Sequence, residues 1–382
     1  MAASSGCNSL TMYSYSTVLL LSVLLAVFTG SNCFMHKADP CPCKDPTLCN
    51  FITKKPQKEL FVFQVTNENW MEYDWSYITT VALFGPYTPD VMCHAHSKGI
   101  RLVMSGLTDY PVSQLSNATH RSVWVKQQVQ FATKQHMDGI NIDFEKPLSP
   151  SRSELLTALV NETAQAFRAA NPYAQITVDV PYAPCGYGRY YDYNKLASLC
   201  DFLVMMDYDM LQSSTHATSN DGINLIRKGI EAFQAVGIPA SKLVAAVPWY
   251  GYDFTCTHLL KDNICNLDDQ QYEYDVMTGI ATYGTHVQVV YKRITQLLKN
   301  STTGRIFNET YESPFFNYLV SGQTHQLWYD DPESLMLRYN NAKSFQLRGV
   351  SMFQADCLDY SDDPEAKALT KAMWDAINTF FV

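Results

Sequence analysis

The stretch MDGINIDFE, residues 137–145, alternates polar and apolar residues as a β-strand would. Asn141, Asp143 and Glu145 share one face of that strand, and the apolar residues between them share the other. An apolar face of this kind packs against a layer of helices. The stretch therefore predicts a strand that turns its polar row away from the helices and ends at Glu145.

Seven further short apolar runs accompany this strand along the chain. Together the eight runs cover residues 60–65, 79–84, 100–104, 139–144, 176–180, 202–206, 243–247 and 350–353. Their nearly continuous apolar character is typical of strands buried on both faces of a parallel sheet. Helical patterns lie between several of them, at residues 122–136, 151–170, 223–236 and 364–377. Eight strands alternating with helices predict an α/β protein with a closed (β/α)₈ TIM barrel, and a doubly wound open sheet is the alternative.

The segment between the seventh and eighth runs is too long for one loop and one helix. Residues 256–326 contain two cysteines, two N-glycosylation sequons and an amphipathic segment at residues 287–298. We interpret this segment as a small α+β insertion on the barrel rim. The whole barrel domain, with the insertion, would span residues 33–382.

Residues 1–32 have the pattern of a secretory signal peptide. The apolar run at residues 18–28 is too short to cross a bilayer, and small residues follow it at 29–31. An uncleaved anchor is the alternative. We expect export through the secretory pathway and no membrane association after the signal is removed.

Cysteines and sequons point to the same compartment. All of the 11 cysteines except Cys7 follow the signal, and in an exported protein they predict disulfides. Cys185 with Cys200, and Cys256 with Cys265, are close enough in sequence to pair locally, although the sequence leaves the connectivity open. Four N-glycosylation sequons support export, and they begin at Asn117, Asn161, Asn300 and Asn308.

Charge and metal-ligand patterns exclude two classes of partner. The net charge is −9 and no run of lysines or arginines occurs, so no nucleic-acid partner is expected. The Cys41-Pro-Cys43 segment lacks the paired spacing of a zinc site, and no matched pair of histidines accompanies it. The sequence predicts no cofactor and no metal.

Asp143 and Glu145 are the candidate chemical groups. Two carboxyls on one strand face cannot both ionise easily, so one of them is expected to keep a proton near working pH. A protonated carboxyl at the carboxyl end of a barrel strand is suited to act as a general acid. A strand end that merely faces water is the alternative. Asp138 has the opposite parity, and we expect it to have a structural role at the strand entrance.

The sequence around these carboxyls resembles family 18 glycoside hydrolases. Residues 138–145, DGINIDFE, match the DGxDxDxE motif of that family, with Asn141 in place of the first Asp of the DxDxE core. Residues 206–209 (MDYD), 248–251 (PWYG) and 328–334 (WYDDPES, with Arg338) are similar to the family's MxYD, PxYG and YDDxxSxxxK segments. The resemblance covers about residues 59–374.

The resemblance implies a substrate-assisted retaining mechanism. Glu145 would be the catalytic acid, with Asp143 and Tyr208 orienting the 2-acetamido group of the substrate. The implied substrate-binding residues are Asn141, Asp209, Met206, Tyr250, Trp249, Phe353 and Trp328. Phe353 departs from the family, which usually places a Trp beneath the reacting sugar, and Tyr252 stands where many relatives have an Arg.

Local similarity within the family implies a substrate and a compartment. The chain looks like a lysosomal glycosidase of this family, and a monomer is the expected state. Such an enzyme removes N-acetylglucosamine (GlcNAc) from the reducing end of the β-1,4-linked chitobiose core of Asn-linked glycans, and secretion is the second choice of location. A catalytically weak or silent chitinase-like lectin and an endo-acting chitinase are the alternatives. Retention of both Asp143 and Glu145 argues against the lectin.

Overall fold

The computed structural model describes residues 39–106, 110–213, 215–267 and 286–382, and the backbone of two short strands between 267 and 286. The predicted signal peptide at residues 1–32 lies outside the described residues. Among the helices that are described, none is long and apolar enough to cross a membrane.

Short strands recur along the whole described chain. In chain order they are β1 Glu59–Gln64, β2 Thr80–Leu83, β3 Arg101–Gly106, β4 Gly139–Ile142, β5 Gln175–Pro181, β6 Phe202–Met206, β7 Leu243–Pro248, β8 Tyr250–Thr255, β9 His258–Leu259, β10 Cys265–Asn266, β11 Glu273–Tyr274, β12 Ala281–Thr282, β13 His286–Val290, β14 Ile306–Asn308, β15 Ser313–Val320, β16 Gln323–Trp328 and β17 Gly349–Phe353. Eight of them close into a barrel in the order β1-β17-β7-β6-β5-β4-β3-β2, with every neighbouring pair parallel. Each barrel strand overlaps one of the eight apolar runs, so the predicted (β/α)₈ barrel is confirmed.

Helices connect the barrel strands. They are α1 Pro89–Ser97, α2 Val112–Leu115, α3 Ala118–Lys134, α4 Ser153–Ala170, α5 Tyr193–Leu199, α6 Ile223–Ala235, α7 Tyr291–Leu298, α8 Pro332–Ser344, α9 Pro364–Ala376 and α10 Asn378–Phe381. The four predicted helices correspond to α3, α4, α6 and α9. The amphipathic segment at 287–298 is only partly helical, because its first residues pair with β8 as strand β13.

The barrel has two separate apolar layers. Inside it, Phe61, Phe63 and Phe202 meet edge to face, with ring centroids 5.3 to 5.6 Å apart. Outside it, the opposite faces of the strands pack against the helices in one large cluster, to which Ile140, Ile142 and Phe144 belong. The inner apolar layer fills the interior of the barrel, and polar side chains concentrate at the carboxyl ends of the strands.

The Asp138-Gly139 step explains how the chain enters β4. Asp138 is fully buried, where it accepts hydrogen bonds from the backbone N–H groups of Ile52 and Leu102 and pairs with His96 at 2.9 Å. These contacts at the start of β4 agree with the structural role predicted for Asp138. A Cβ at Gly139 would lie 1.9 Å from the carbonyl oxygen of Gln175, so only glycine fits there.

In its described residues, the insertion that follows β7 contains a five-stranded antiparallel sheet, the two-stranded pairs β9-β10 and β11-β12, and helix α7. The five strands of the larger sheet pair in the order β13-β8-β16-β15-β14, and α7 follows β13. The predicted α+β insertion is therefore present, but its bounds differ from the expected 256–326. The sheet starts at Tyr250 and ends at Trp328, because β8 continues almost directly from barrel strand β7.

Disulfides hold the N-terminal segment and the start of the insertion. Cys41 pairs with Cys49, Cys43 with Cys93, and Cys256 with Cys265, as expected for the last pair. The local pairing of Cys185 with Cys200 is wrong. Cys185 is disulfide-bonded, whereas Cys200 is a free thiol buried at the end of α5.

The WYDDPES segment and Arg338 form a buried ionic cluster. Asp331 caps α8 by accepting from the N–H groups of Glu333 and Ser334. Arg338, which is fully buried on α8, donates from Nε to Asp221 Oδ2 at 2.6 Å and from Nη2 to Asp221 Oδ1 at 2.8 Å. Its Nε also lies 3.0 Å from Asp330 Oδ1. This motif therefore fixes α8 to the segment that precedes α6.

Candidate active site

The polar row of β4 continues past the end of the strand. Asn141 is fully buried, Asp143 is 5% exposed, and the side chain of Glu145 is 43% exposed. The row thus climbs from the barrel interior to its carboxyl mouth. Glu145 is the member of the row that a ligand in the mouth could reach.

Glu145 forms an ion pair that the sequence did not predict. Arg189 Nη2 donates to Glu145 Oε2 at 2.6 Å. Arg189 lies after β5, and its side chain is only 7% exposed. Burial is the largest single influence and lowers the pKa of Arg189, but Glu145, Tyr191 and Asp143 together raise it overall, so the guanidinium stays charged.

Asp143 lies among other acids in a nearly dry environment. Burial, and then the charge of Glu145, raise the pKa of Asp143 to about 8, although Arg189 opposes this rise. No donor among the described residues reaches Asp143 Oδ1. Asp143 is therefore a carboxyl with unused hydrogen-bonding capacity that points into the barrel.

Asp179 on β5 is a second acid that the sequence did not single out. Asn141 Nδ2 donates to Asp179 Oδ2 at 2.6 Å, and Thr177 Oγ1 donates to Asn141 Oδ1 at 2.5 Å. Asn141 is thus held by the neighbouring strand and is closed off from solvent, so the structure places it behind the site and not at a ligand surface. Asp179 was missed because β5 was interpreted only as an apolar, β-branched strand. Thr177 and Asp179 are two residues apart, and this polar alternation indicates that both side chains lie on the same face of the strand.

Tyrosines that follow β6 and β7 form one wall of the mouth. Asp209 Oδ1 accepts hydrogen bonds from the hydroxyls of Tyr250 and Tyr252, both at 2.6 Å. Tyr208 contacts Tyr250 edge to face, at 6.1 Å between ring centroids. Burial and the charges of Asp179, Glu145 and Asp143 raise the pKa of Tyr208 well above its ordinary value, so its phenol remains a hydrogen-bond donor.

Phe353 provides an aromatic floor at the end of β17. Its ring lies 5.6 Å from Tyr208 and 5.6 Å from Phe63, measured between centroids, and 6.3 Å from Tyr250. The side chain is partly exposed above the inner phenylalanine layer. Position 353 therefore keeps an apolar surface beside Tyr208.

Besides Asn141, three further predicted substrate-binding residues lie in packed positions. Trp249 is fully buried and meets Trp374 of α9 edge to face at 5.0 Å, so it faces the helices. Trp328 is 4% exposed, stacks on Phe315 at 4.4 Å and belongs to the core of the insertion. Met206 is 8% exposed at the end of β6. Trp249 and Trp328 were expected to bind sugar, but both rings are covered by other side chains and therefore have a packing role.

Comparison with known proteins agrees with this arrangement. The model of the family "Glycosyl hydrolases family 18" matches residues 50–357. The chain is 40% identical to di-N-acetylchitobiase of Mus musculus over 94% of this chain and 96% of that protein. It is 39% identical to di-N-acetylchitobiase of Homo sapiens, over 88% of each.

Solved structures show the same fold at lower sequence identity. The class V chitinase of Nicotiana tobaccum, a mutant of which was crystallised with NAG4, superposes with a TM-score of 0.69. That match has 17% identity and covers 85% of this chain and all of the chitinase. A chitinase of Chromobacterium violaceum superposes with a TM-score of 0.67 at 18% identity. These two likenesses concern the barrel fold.

Proposed function

This chain belongs to family 18 of the glycosyl hydrolases, and from that premise we propose that it hydrolyses the β-1,4 linkage of chitobiose, releasing GlcNAc from the reducing end. The observation that carries the proposal is the pair formed by Asp143 and Glu145 at the mouth of the barrel. Asp143 is buried while Glu145 is half exposed, so the two carboxyls can perform different tasks. The names of the mouse and human relatives support chitobiose as the substrate.

In the proposed mechanism, Glu145 protonates the glycosidic oxygen of the leaving sugar. The carbonyl oxygen of the substrate's own 2-acetamido group attacks the anomeric carbon, and the bond to the leaving oxygen breaks. The resulting oxazolinium ion is positively charged, and Asp143 offsets that charge in the dry interior. Glu145, now ionised, then removes a proton from water, which attacks the anomeric carbon and restores the acetamide.

Tyr208 and Asp209 position the sugar in this proposal. Tyr208 remains a phenol because acids surround it, so it can donate to the acetamide oxygen and hold it in line for attack. Asp209 is exposed, and its Oδ1 is fixed by Tyr250 and Tyr252. Asp209 Oδ2 thereby offers an oriented acceptor to sugar hydroxyls, with Phe353 beneath the ring.

We place this activity in the degradation of Asn-linked glycans, in the lysosome or, as a second choice, after secretion, by a monomeric enzyme. The secretory pattern of residues 1–32, the disulfides and the four sequons support export. Asn117 and Asn300 are exposed, as glycan attachment requires.

The test is incubation of the purified protein with N,N′-diacetylchitobiose and with a chitotriose that carries an isotope label on its reducing-end residue. Release of labelled GlcNAc, with the new reducing end of the remaining disaccharide appearing first as its β-anomer by NMR, supports the proposal. Internal cleavage of longer oligomers would identify an endo-acting chitinase. Binding of the oligomers without turnover would identify a lectin, and either of these results contradicts the proposal.

Arg189→Met is expected to move the acidic limb of the pH–rate profile to higher pH. Arg189 opposes the rise in the pKa of Asp143, so without this cation Asp143 keeps its proton to a higher pH and cannot offset the positive charge of the oxazolinium ion below that pH. Profiles of kcat against pH for the variant and the parent measure the shift.

The matched control for Arg189 is Arg121→Met, because Arg121 makes a similar ion pair with Glu162 on the outer helices, at 2.8 Å. That variant should leave the profile in place. Equal profiles for Arg189→Met and the parent would show that Arg189 has no influence on Asp143.

A further inference from the structure

Asp143 and Asp179 are neighbours across two barrel strands. The register of β4 and β5 sets Gly139 opposite Gln175 and Asn141 opposite Thr177. Continued one residue past the last recorded pair, Ile142 with Val178, the same register sets Asp143 opposite Asp179, and the charge of Asp143 is the largest influence on Asp179 after burial. Both side chains lie on the inner face, because they share the parity of Asn141 and Thr177.

Neither acid has a full set of hydrogen-bond partners. Asp179 is 2% exposed and Asp143 is 5% exposed. No donor among the described residues reaches Oδ1 of either acid. A buried carboxylate oxygen without a donor is costly, and a proton between two such oxygens would satisfy both at once.

The charges that face Asp179 point the same way. They are the acids Asp143 and Glu145 after β4, the cation Arg189 after β5, and Tyr208 after β6. Burial, and then the charge of Asp143, raise the pKa of Asp179 well above its ordinary value, while the hydrogen bond from Asn141 lowers it. Two adjacent acids whose pKa values are both raised titrate as a pair, and the macroscopic pKa for loss of the last proton is high.

We propose that Asp179 is a positioning residue that shares one proton with Asp143, so that the pair carries a single negative charge beside the reacting sugar. Asp179 thereby supplies from β5 the second carboxyl that DxDxE places at position 141, where this chain has Asn141. The inference rests on the proposed function and extends it. The shared proton stays within the pair, and no group leaves it during the reaction.

The pair explains how Asp143 can offset a positive charge in a dry site. A lone Asp143 in this environment keeps its proton up to a pH of about 8 and would be neutral in an acidic compartment. An Asp179 hydroxyl that donates to Asp143 stabilises the ionised form, because the charged carboxylate then accepts a short hydrogen bond. Asn141 in turn fixes the orientation of Asp179.

The test compares Asp179→Leu, Asp179→Asn and the exchange variant Asn141→Asp/Asp179→Asn with the parent. Asp179→Leu removes the donor, and kcat on N,N′-diacetylchitobiose should fall about 100-fold with KM changed only a few-fold. Asp179→Asn keeps a neutral donor, so kcat at the optimum should stay within about tenfold of the parent. Equal losses in the two variants would overturn the proposal.

Thermal stability against pH tests the proton itself and needs no substrate. A carboxyl whose pKa is raised from 3.8 to about 8 in the folded state stabilises the fold below the first value, and that stabilisation is lost progressively as pH rises from there through about 8. Asp179→Asn should flatten this loss, and the exchange variant should restore it, because a carboxyl again adjoins Asp143. An unchanged slope in Asp179→Asn would overturn the pair. A parent that fails to cleave the disaccharide would instead contradict the proposed function, since this titration is independent of turnover.

Discussion

Glu145→Gln should lower kcat on N,N′-diacetylchitobiose by about 10²–10⁴-fold, the range that general acid–base catalysis contributes. Gln has the volume of Glu but cannot give a proton to the leaving oxygen, nor take one from water. Arg189 still finds an oxygen acceptor at this position, so the mouth keeps its shape. Binding of the disaccharide, measured by calorimetry, should therefore change only a few-fold.

The control for this substitution is Glu154→Gln, an exposed glutamate in the first turn of α4. It removes the same charge from the protein without touching the barrel mouth, so kcat should remain at the parent value. A Glu145→Gln enzyme with kcat within tenfold of the parent would disprove the assignment of the acid. A loss of binding equal to the loss of kcat would show that Glu145 holds the sugar and does not protonate it.

The barrel could be predicted from the sequence because its signal is local and repeated. Each strand is a short apolar run, and burial on both faces makes such runs conspicuous, as residues 202–206 and 243–247 illustrate. The bounds of the insertion could not be found in this way. Its first strand, β8, follows β7 after a single residue, so the sequence offers no break at Tyr250.

The site was only partly predictable, since Arg189 and Glu145 come together only when the barrel closes. Arg189 lies in an irregular segment rich in Gly and Tyr, and nothing in its neighbourhood indicates that it reaches Glu145. The orientation of Trp249, by contrast, could have been predicted from the sequence. This residue has the parity opposite to that of Tyr250, which lies on the side of Asp209, and strand alternation alone would have turned Trp249 toward the helices.

The expected pairing of Cys185 with Cys200 was wrong for a related reason, although that of Cys256 with Cys265 was right. Nearness in sequence suggested that Cys185 and Cys200 form a staple, but Cys200 lies in the packed end of α5, where its carbonyl oxygen accepts from Lys242. Burial raises the pKa of the Cys200 thiol to about 12, so it behaves as a small apolar side chain. Sequence separation carries no information about such three-dimensional burial.

Arg338→Met should destabilise the fold by about 3–5 kcal/mol, because removing one partner of a buried ion pair leaves the other charge uncompensated. Arg338 is the cation that Asp221 and Asp330 share, and all three side chains are at most 1% exposed. Met matches the length of the arginine stem, so the change is mainly electrostatic. Chemical denaturation at pH 5 and at pH 7.5 measures the loss.

The deficit of Arg338→Met should be larger at pH 7.5 than at pH 5. Burial raises the pKa of Asp330 well above its ordinary value, and the Arg338 charge opposes that rise. Without the cation the folded-state pKa rises further, and an acid of raised pKa stabilises the fold at low pH but loses that contribution as pH increases. The control is Arg168→Met, whose half-exposed pair with Asp201 contributes about 0–1 kcal/mol at either pH. A deficit for Arg338→Met that is equally small, or that grows on acidification, would show that the cluster does not depend on its arginine for charge balance.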